Sequence, residues 1–453
     1  CFVIVFMKKK SRKKAGVKRK AINKKEFVYV VLLVSFISLI SLVILDKVYD
    51  HYDIDYAPTF SSATRVAPGT PITPTEILRP IIGFSLDGAA VVGPPNIWMC
   101  DNFLCNSPFI ISLDNGQRHV GDHPRSISVE RDGNKNPILA YTSKYTLSQP
   151  INLEVVYCND PACTTFINTT VAYGPPNNNH YGAYPEINFL NGLPIIAYSA
   201  FNQAKLVMCS APDCSSSTIK ILSPVGTWGR FMSSDVYQGK SYFSFVNGRE
   251  THIALCTDPT CNTIQHSMVY NVSDNQHAQS YTSIEIDPNG NPYVAFIQSN
   301  ATGTPSGYVN LLHCSNSNCD ISSGGTITRI VLDEQFGSEP FKNLDMELAG
   351  TGFPIIGYYN TVNFQYNVIQ CNDATCDVNL LTKTSLSLSS AVHAQSPAMA
   401  LGVRGMPAIT YSMLGSLNEE LHLIQCKDTS CSQREPEIVT PTLNGEPANL
   451  DLG

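Results

Sequence analysis

Cys158-Asn159-Asp160-Pro161-Ala162-Cys163 places a second cysteine five positions after the first, across residues that favour a tight turn. The same spacing joins Cys100 and Cys105, Cys209 and Cys214, Cys256 and Cys261, Cys314 and Cys319, Cys371 and Cys376, and Cys426 and Cys431, using fourteen of the fifteen cysteines. Successive first members stand 58, 51, 47, 58, 57 and 55 residues apart. Such regularity belongs to a tandem structural unit, not to scattered thiols.

Upstream of each pair lies a short apolar run carrying a proline with an aromatic four positions on: Pro80 and Phe84, Pro137 and Tyr141, Pro194 and Tyr198, Pro292 and Phe296, Pro354 and Tyr358, Pro407 and Tyr411. The fourth unit keeps Phe245 and has Ser241 in place of the proline. Before six of these runs comes another strand-like segment, at 126–130, 186–190, 234–237, 282–287, 344–348 and 397–401. Turns such as Asp132-Gly133-Asn134 and Asn289-Gly290-Asn291 join the two, supplying the positive φ of a tight hairpin. A third strand leads into each first cysteine, as at 153–157 and 421–425, and a fourth follows the second cysteine. The fold class is therefore all-β: a seven-bladed β-propeller of four-stranded antiparallel blades over 76–453. The first unit opens directly at its second strand, and residues 445–453 repeat the pattern of 338–346. Residues 446–453 are thus expected to supply the inner strand of blade one and close the ring, leaving no exposed sheet edge there.

Ahead of the repeats, residues 1–26 form a basic tail with eleven Lys/Arg between 8 and 25. Residues 27–45 carry no charge, which reads as a single transmembrane signal-anchor helix; the positive-inside rule keeps the tail cytoplasmic and the propeller outside. A cleaved signal peptide is the competing reading, but 45–49 offers no small-x-small cleavage site. Residues 1–6 precede Met7 and are read as lying upstream of the translated start, so Cys1 carries no functional weight. Residues 46–75, rich in Pro, Thr, Ser and Ala, read as an extended stalk. Without residues 1–45 the chain keeps 19 basic and 36 acidic residues, a net charge of −17 that excludes nucleic acid as a natural partner. The predicted location is a single-pass protein at a cell or virion surface.

A zinc site needs about four converging ligands, and pairs distributed around a ring supply two each, so the cysteines are expected to form seven local disulfides. Asp160 and Asp373 within the loops are read as turn formers, not calcium ligands. No pattern demands a cofactor or metal. Asn168, Asn271 and Asn300 each begin an N-glycosylation sequon.

The connections between blades, with the loops between second and third strands, gather on one face. From the second-strand aromatic to the cysteine is eleven residues in blades three and four, but seventeen and eighteen in blades two and five. Variation confined to one face marks a binding surface. The candidate binding residues there are Arg118, His123, Arg125, His180, Tyr184, Glu186, Arg230, His277, Tyr281, Glu339 and His393, with Trp228, Phe231 and Lys342 in the same segments. Arginines beside tyrosines suit an acidic sugar or polar peptide.

The cysteine hairpins resemble those of tandem Cys-Asn-Asp-Pro-x-Cys repeat β-propellers found in microbial and viral surface proteins; 158–163 matches best and 256–261 is near. That resemblance covers about residues 78–453 and implies the fold, not a chemistry. More distantly the blades are similar to sialidase-type propellers, and a stalk bearing a propeller resembles viral neuraminidases and attachment proteins. A sialidase would call on an arginine cluster, for which Arg118, Arg125, Arg230 and Arg249 are at hand, and on a tyrosine such as Tyr184 or Tyr281. The Ser-x-Asp-x-Gly-x-Thr-Trp box of that family is absent. The expected function is recognition of a glycan or surface protein without catalysis; a sialidase-like glycoside hydrolase and a structural coat component are the alternatives.

Overall fold

The tandem units form seven four-stranded antiparallel sheets among the residues described in the computed structural model: 81–88, 91–100, 105, 109–113, 127–143, 151–174, 181–200, 203–224, 229–272, 277–300, 307–335, 341–388, 394–402, 405–414, 419–439 and 446–452. The expected tail, anchor and stalk lie outside these residues. Blade two shows the plan: inner strand Ile127–Arg131, second strand Pro137–Ser143, third strand Asn152–Cys158 and outer strand Phe166–Tyr173. In blade one the inner strand comes from the far end of the chain. Glu446–Leu452 pairs antiparallel with Ile81–Gly88, matching Leu452 to Ile82 and Glu446 to Asp87. Each inner strand lies against the inner strand of the next blade, and blade one's strand lies against those of blades seven and two, so the circle closes.

The core sits between the sheets, which explains why the second strands have no solvent face. All seven residues of Pro137–Ser143 and of Pro354–Asn360 are buried, whereas the outer strand Phe166–Tyr173 is largely half-buried or exposed. The aromatic four positions after the proline, or after Ser241 in blade four, is the main filler: Tyr198, Phe245, Phe296, Tyr358 and Tyr411 are all fully buried. Burying one such ring contributes roughly 1.5–3 kcal/mol. Beside Tyr358, Gly357 leaves no space for a Cβ, which would stand 2.2 Å from the Tyr366 hydroxyl and 2.9 Å from Met399 Sδ of the next blade. The proline lacks an N–H, but its carbonyl still serves: Pro354 O accepts from Cys371 N and Pro407 O from Cys426 N, both at 2.9 Å.

All seven expected bridges form, each within its own hairpin. Cys100 is bonded to Cys105, Cys158 to Cys163, Cys209 to Cys214, Cys256 to Cys261, Cys314 to Cys319, Cys371 to Cys376 and Cys426 to Cys431. Their Cα separations run from 4.5 Å in blade one to 5.2 Å in blade five. What the spacing does not disclose is the backbone of the second cysteine. Cys105, Cys163, Cys214, Cys261, Cys319, Cys376 and Cys431 all adopt a left-handed conformation, with φ between 47° and 56°. In six blades the amide of this residue donates to the carbonyl three residues back, as Cys163 N does to Asp160 O at 2.9 Å, Cys214 N to Ala211 O at 3.0 Å and Cys431 N to Asp428 O at 3.1 Å. The Asp160 carboxylate accepts from Ala162 N at 2.9 Å and Thr164 N at 3.2 Å. Its hydrogen bond with the Thr164 hydroxyl, reinforced by these amides, holds the carboxyl below the usual range. That is an Asx turn, the role expected for Asp160 and Asp373.

The inner strands differ from the expected segments. They begin earlier than the alternation of apolar residues suggests: Tyr181–Leu190, Arg230–Tyr237, His277–Ile286, Phe341–Leu348 and Ala394–Leu401. Each contains a register shift against its second strand, between Ala183/Glu186, Arg230/Ser233, Ser280/Thr282, Lys342/Leu344 and Gln395/Ala398. A β-bulge interrupts the period of two, so residues beyond it read as loop in sequence while belonging to the strand.

Candidate functional site

The inner strands start at the end where second and third strands turn, because Phe341 pairs with Asn360 and Arg230 with Val246. The cysteine hairpins occupy the opposite end: the Tyr157 hydroxyl, one residue before Cys158, donates to Asp132 Oδ2 in the inner-to-second-strand turn at 2.9 Å. The ring therefore has a disulfide face and a connection face, and the candidates among the described residues sit on inner strands that begin at the latter.

At the bulges of blades three, four and five stand Tyr184, Phe231 and Tyr281, with φ of 53°, 51° and 49°. Their rings pack in sequence, Tyr184 to Phe231 at 4.9 Å and Phe231 to Tyr281 at 4.6 Å between centroids. Each is 5 % exposed or less, so this arc forms the floor of the connection face. Blade six has Asn343 at the same position, with φ 51° and a side-chain amide that donates to Pro397 O of blade seven at 3.4 Å. Immediately before the bulge come Arg230 and Lys342, both half-buried. Two residues after it come Glu186 and Asp345, both buried, or a serine.

These buried polar groups stitch the blades together. Ile187 N donates to Ser128 Oγ at 3.1 Å, Ile284 N to Ser233 Oγ at 3.2 Å, Ile286 N to Asp235 Oδ2 at 2.8 Å and Met346 N to Ser283 Oγ at 3.0 Å. Inner strands cannot form a backbone ladder with one another around a circle, so side chains satisfy their amides instead. The carboxylates Glu130, Glu186, Asp235, Glu285, Asp345 and Glu347 are all buried on inner strands, with Arg131 the one buried cation among the described residues. The floor is aromatic on one side and acidic beneath.

Of the eleven candidate residues, Tyr184, Glu186 and Tyr281 are buried, Arg230 is half-buried at its strand's start, and His277 begins the inner strand of blade five. Arg118, His123, Arg125, His180, Glu339 and His393 lie outside the described residues. Tyr184 and Tyr281 meet only through Phe231, which is not among the eleven. The sequence does carry a signal for it: Tyr184, Phe231 and Tyr281 precede the second-strand aromatics Tyr198, Phe245 and Phe296 by 14, 14 and 15 residues. Arg249 is exposed in the second-to-third-strand turn of blade four, at the same end.

The sequons differ in access. Asn168 is half-buried, donates Nδ2 to the Tyr141 hydroxyl at 3.0 Å and has its Oδ1 buried without a hydrogen-bond partner. Asn271 is exposed at the end of blade four's outer strand. Asn300 ends the second strand of blade five.

No family model matches the chain, and no curated protein matches it. Among solved structures it is similar to a protein of unknown function from Dyadobacter fermentans, with 11 % identity, a TM-score of 0.46, and coverage of 64 % of this chain and 90 % of that one. It is also similar to an α-L-arabinanase of Penicillium chrysogenum complexed with arabinobiose, at 11 % identity and a TM-score of 0.40, covering 69 % and 92 % of the two chains. A GH93 α-L-arabinofuranosidase of Fusarium graminearum gives 9 % identity and a TM-score of 0.41 over the same shares. At this level of similarity neither substrate nor chemistry transfers.

Proposed function

We propose that the chain is a membrane-anchored surface recognition module that takes a glycan or protein partner on its connection face. The observation that carries this reading is the break in sevenfold regularity at the bulges. Residues shared by every blade answer to the fold, and residues that differ between blades answer to something else. Asn343 forms its bulge with a small amide, so a bulge does not require an aromatic ring. Holding Tyr184, Phe231 and Tyr281 at positive φ costs on the order of 1–3 kcal/mol each, in one arc of three adjacent blades. Arg230 and Lys342, at the residues before the bulges, add charge-assisted donors at the same end. In this reading residues 27–45 anchor the chain and 46–75 carry the propeller outward. The seven disulfides support an exterior location, because such bonds persist in oxidising compartments.

The test is binding of the full chain to a glycan array and to surface proteins, with fluorogenic glycosides assayed in parallel. Arg125→Ala combined with Arg230→Ala is expected to weaken attachment about tenfold or more in a chain that still melts cooperatively. Undiminished attachment refutes this placement of the site. Turnover of a glycoside by the parent chain makes it a hydrolase, and a chain that binds nothing is a coat component.

A further inference from the structure

The hairpin between the second and third strands of blade six carries Thr361-Val362-Asn363-Phe364 between the paired residues Asn360 and Gln365. Asn360, buried at 1 % exposure, fixes this tip: its Oδ1 accepts from Val362 N at 2.9 Å and Asn363 N at 3.3 Å. On the tip, Val362 is 48 % and Phe364 42 % exposed, and Asn363 between them is exposed as well. Phe364 also has φ 55°, a conformation that the corresponding turn of blade four reaches with Gly248 at φ 63°. A bulky residue there is a genuine outlier. Tyr184, Phe231 and Tyr281 share the outlier with buried rings, whereas Phe364 leaves 42 % of its surface exposed. The tip lies at the end where the inner strands begin, because Asn360 pairs with Phe341.

We infer that the Val362-Asn363-Phe364 tip is a contact element of the recognition face and that its ligand is a neutral saccharide. This rests on the recognition reading above and narrows its partner. From Asn360 to Gln365 the tip holds no ionisable group, only amides, a hydroxyl and apolar carbon. An exposed phenyl ring beside the exposed Asn363 carboxamide matches a sugar ring, which offers one C–H face for stacking and hydroxyls along its edge. The exposed part of the ring offers an area on the order of 100 Å². That is the scale of a single sugar, far below the roughly 800 Å² that each side of a protein interface buries.

The experiment uses the full chain, with Phe364→Gly and Phe364→Ala variants, on an array of neutral and sialylated oligosaccharides. The expected result is binding of neutral members by the parent, weakened at least about tenfold in both variants. Melting of Phe364→Gly is expected to equal or exceed the parent's, since glycine relieves the backbone; Phe364→Ala keeps the positive φ and loses only the ring. Neutral glycans bound equally by parent and variants overturn the role of the tip while leaving recognition by this face intact. Binding restricted to sialylated members, or to proteins, overturns the ligand class alone. Binding of no glycan and no protein overturns both this inference and the recognition reading.

Discussion

The two faces of the ring are built from the two ends of the same strands, yet they are composed on opposite principles. On the disulfide face every blade repeats one solution: a bonded cysteine pair and a left-handed second cysteine, as at Cys163 and Cys261. On the connection face the described blades do not repeat one solution. Bulges carry Tyr184, Phe231, Tyr281 or Asn343, and one hairpin tip is Gly248-Arg249 where another holds Val362-Asn363-Phe364. A repeat needs only one reliable corner per unit to set strand register. Once the disulfide end provides it, the other end is free to diverge.

Both faces depend on the ring being closed, so the largest effect should come from removing 446–452. Blade one would keep three strands, exposing an edge of Ile81–Gly88 and the apolar sides of blades seven and two. The truncated chain is expected to aggregate or lose its cooperative melting transition, and both faces should vanish together. Melting like the parent's would mean that the circle closes in some other way.

A smaller effect separates the faces. Replacing Cys158 and Cys163 together by serine opens one short loop and should cost about 2 kcal/mol, measurable by denaturant titration. Attachment through the connection face should not change, because the bridge stands at the opposite end of the blade. Altered attachment in a folded double variant would show that the faces are coupled.

The smallest effect is a difference in acid response. In blade four, His252 and His266 stack at 4.9 Å, and His252 Nε2 lies 3.0 Å from Glu250 Oε2 beside the connection-face turn. Burial lowers both imidazoles below their ordinary value of 6.5, outweighing the opposing pull of Glu250; the charge of His252 further disfavours that of His266. The unfolded chain therefore binds more protons than the native one as pH falls below 6.5, and the histidines' contribution, full above that value, is lost on acidification. The Asx carboxyls of the disulfide face are likewise lowered, but from 3.8, with hydrogen bonds from threonine hydroxyls leading in Asp160 and Asp373. Amide exchange at pH 7 and pH 5 should thus show third- and outer-strand amides of blade four losing protection, by at most roughly tenfold per pH step of one for each proton taken up. The amides of Cys163 and Cys376 should hold theirs. Equal loss at both ends would erase the distinction.

What could be read in advance was local. A cysteine pair five apart, a proline four before an aromatic, and the Asn289-Gly290-Asn291 turn, with Gly290 at φ 87°, each act within a few residues, so their pattern survives in one dimension. In the Asp132-Gly133-Asn134 turn the positive φ falls on Lys135 instead of the expected glycine. Even closure was legible, because Glu446-Pro447 has a counterpart in Glu339-Pro340 and the first unit lacks an inner strand. The bulges were not. At Tyr184-Pro185-Glu186 the register shift breaks the alternation that identifies a strand, so residues of the inner strand resemble a loop.

By itself, then, the amino-acid order determined the unit, its repetition and its bonded corners, since these rest on neighbours along the chain. Only tertiary structure decided which polar residues the inner strands bury, because the amide that Ser233 satisfies belongs to Ile284, 51 positions away. It alone brought Tyr184, Phe231 and Tyr281 together and left Phe364 outside. Whether an aromatic ring is floor or contact depends on what the adjoining blade places over it, and that is settled by packing around a circle rather than by spacing along a chain.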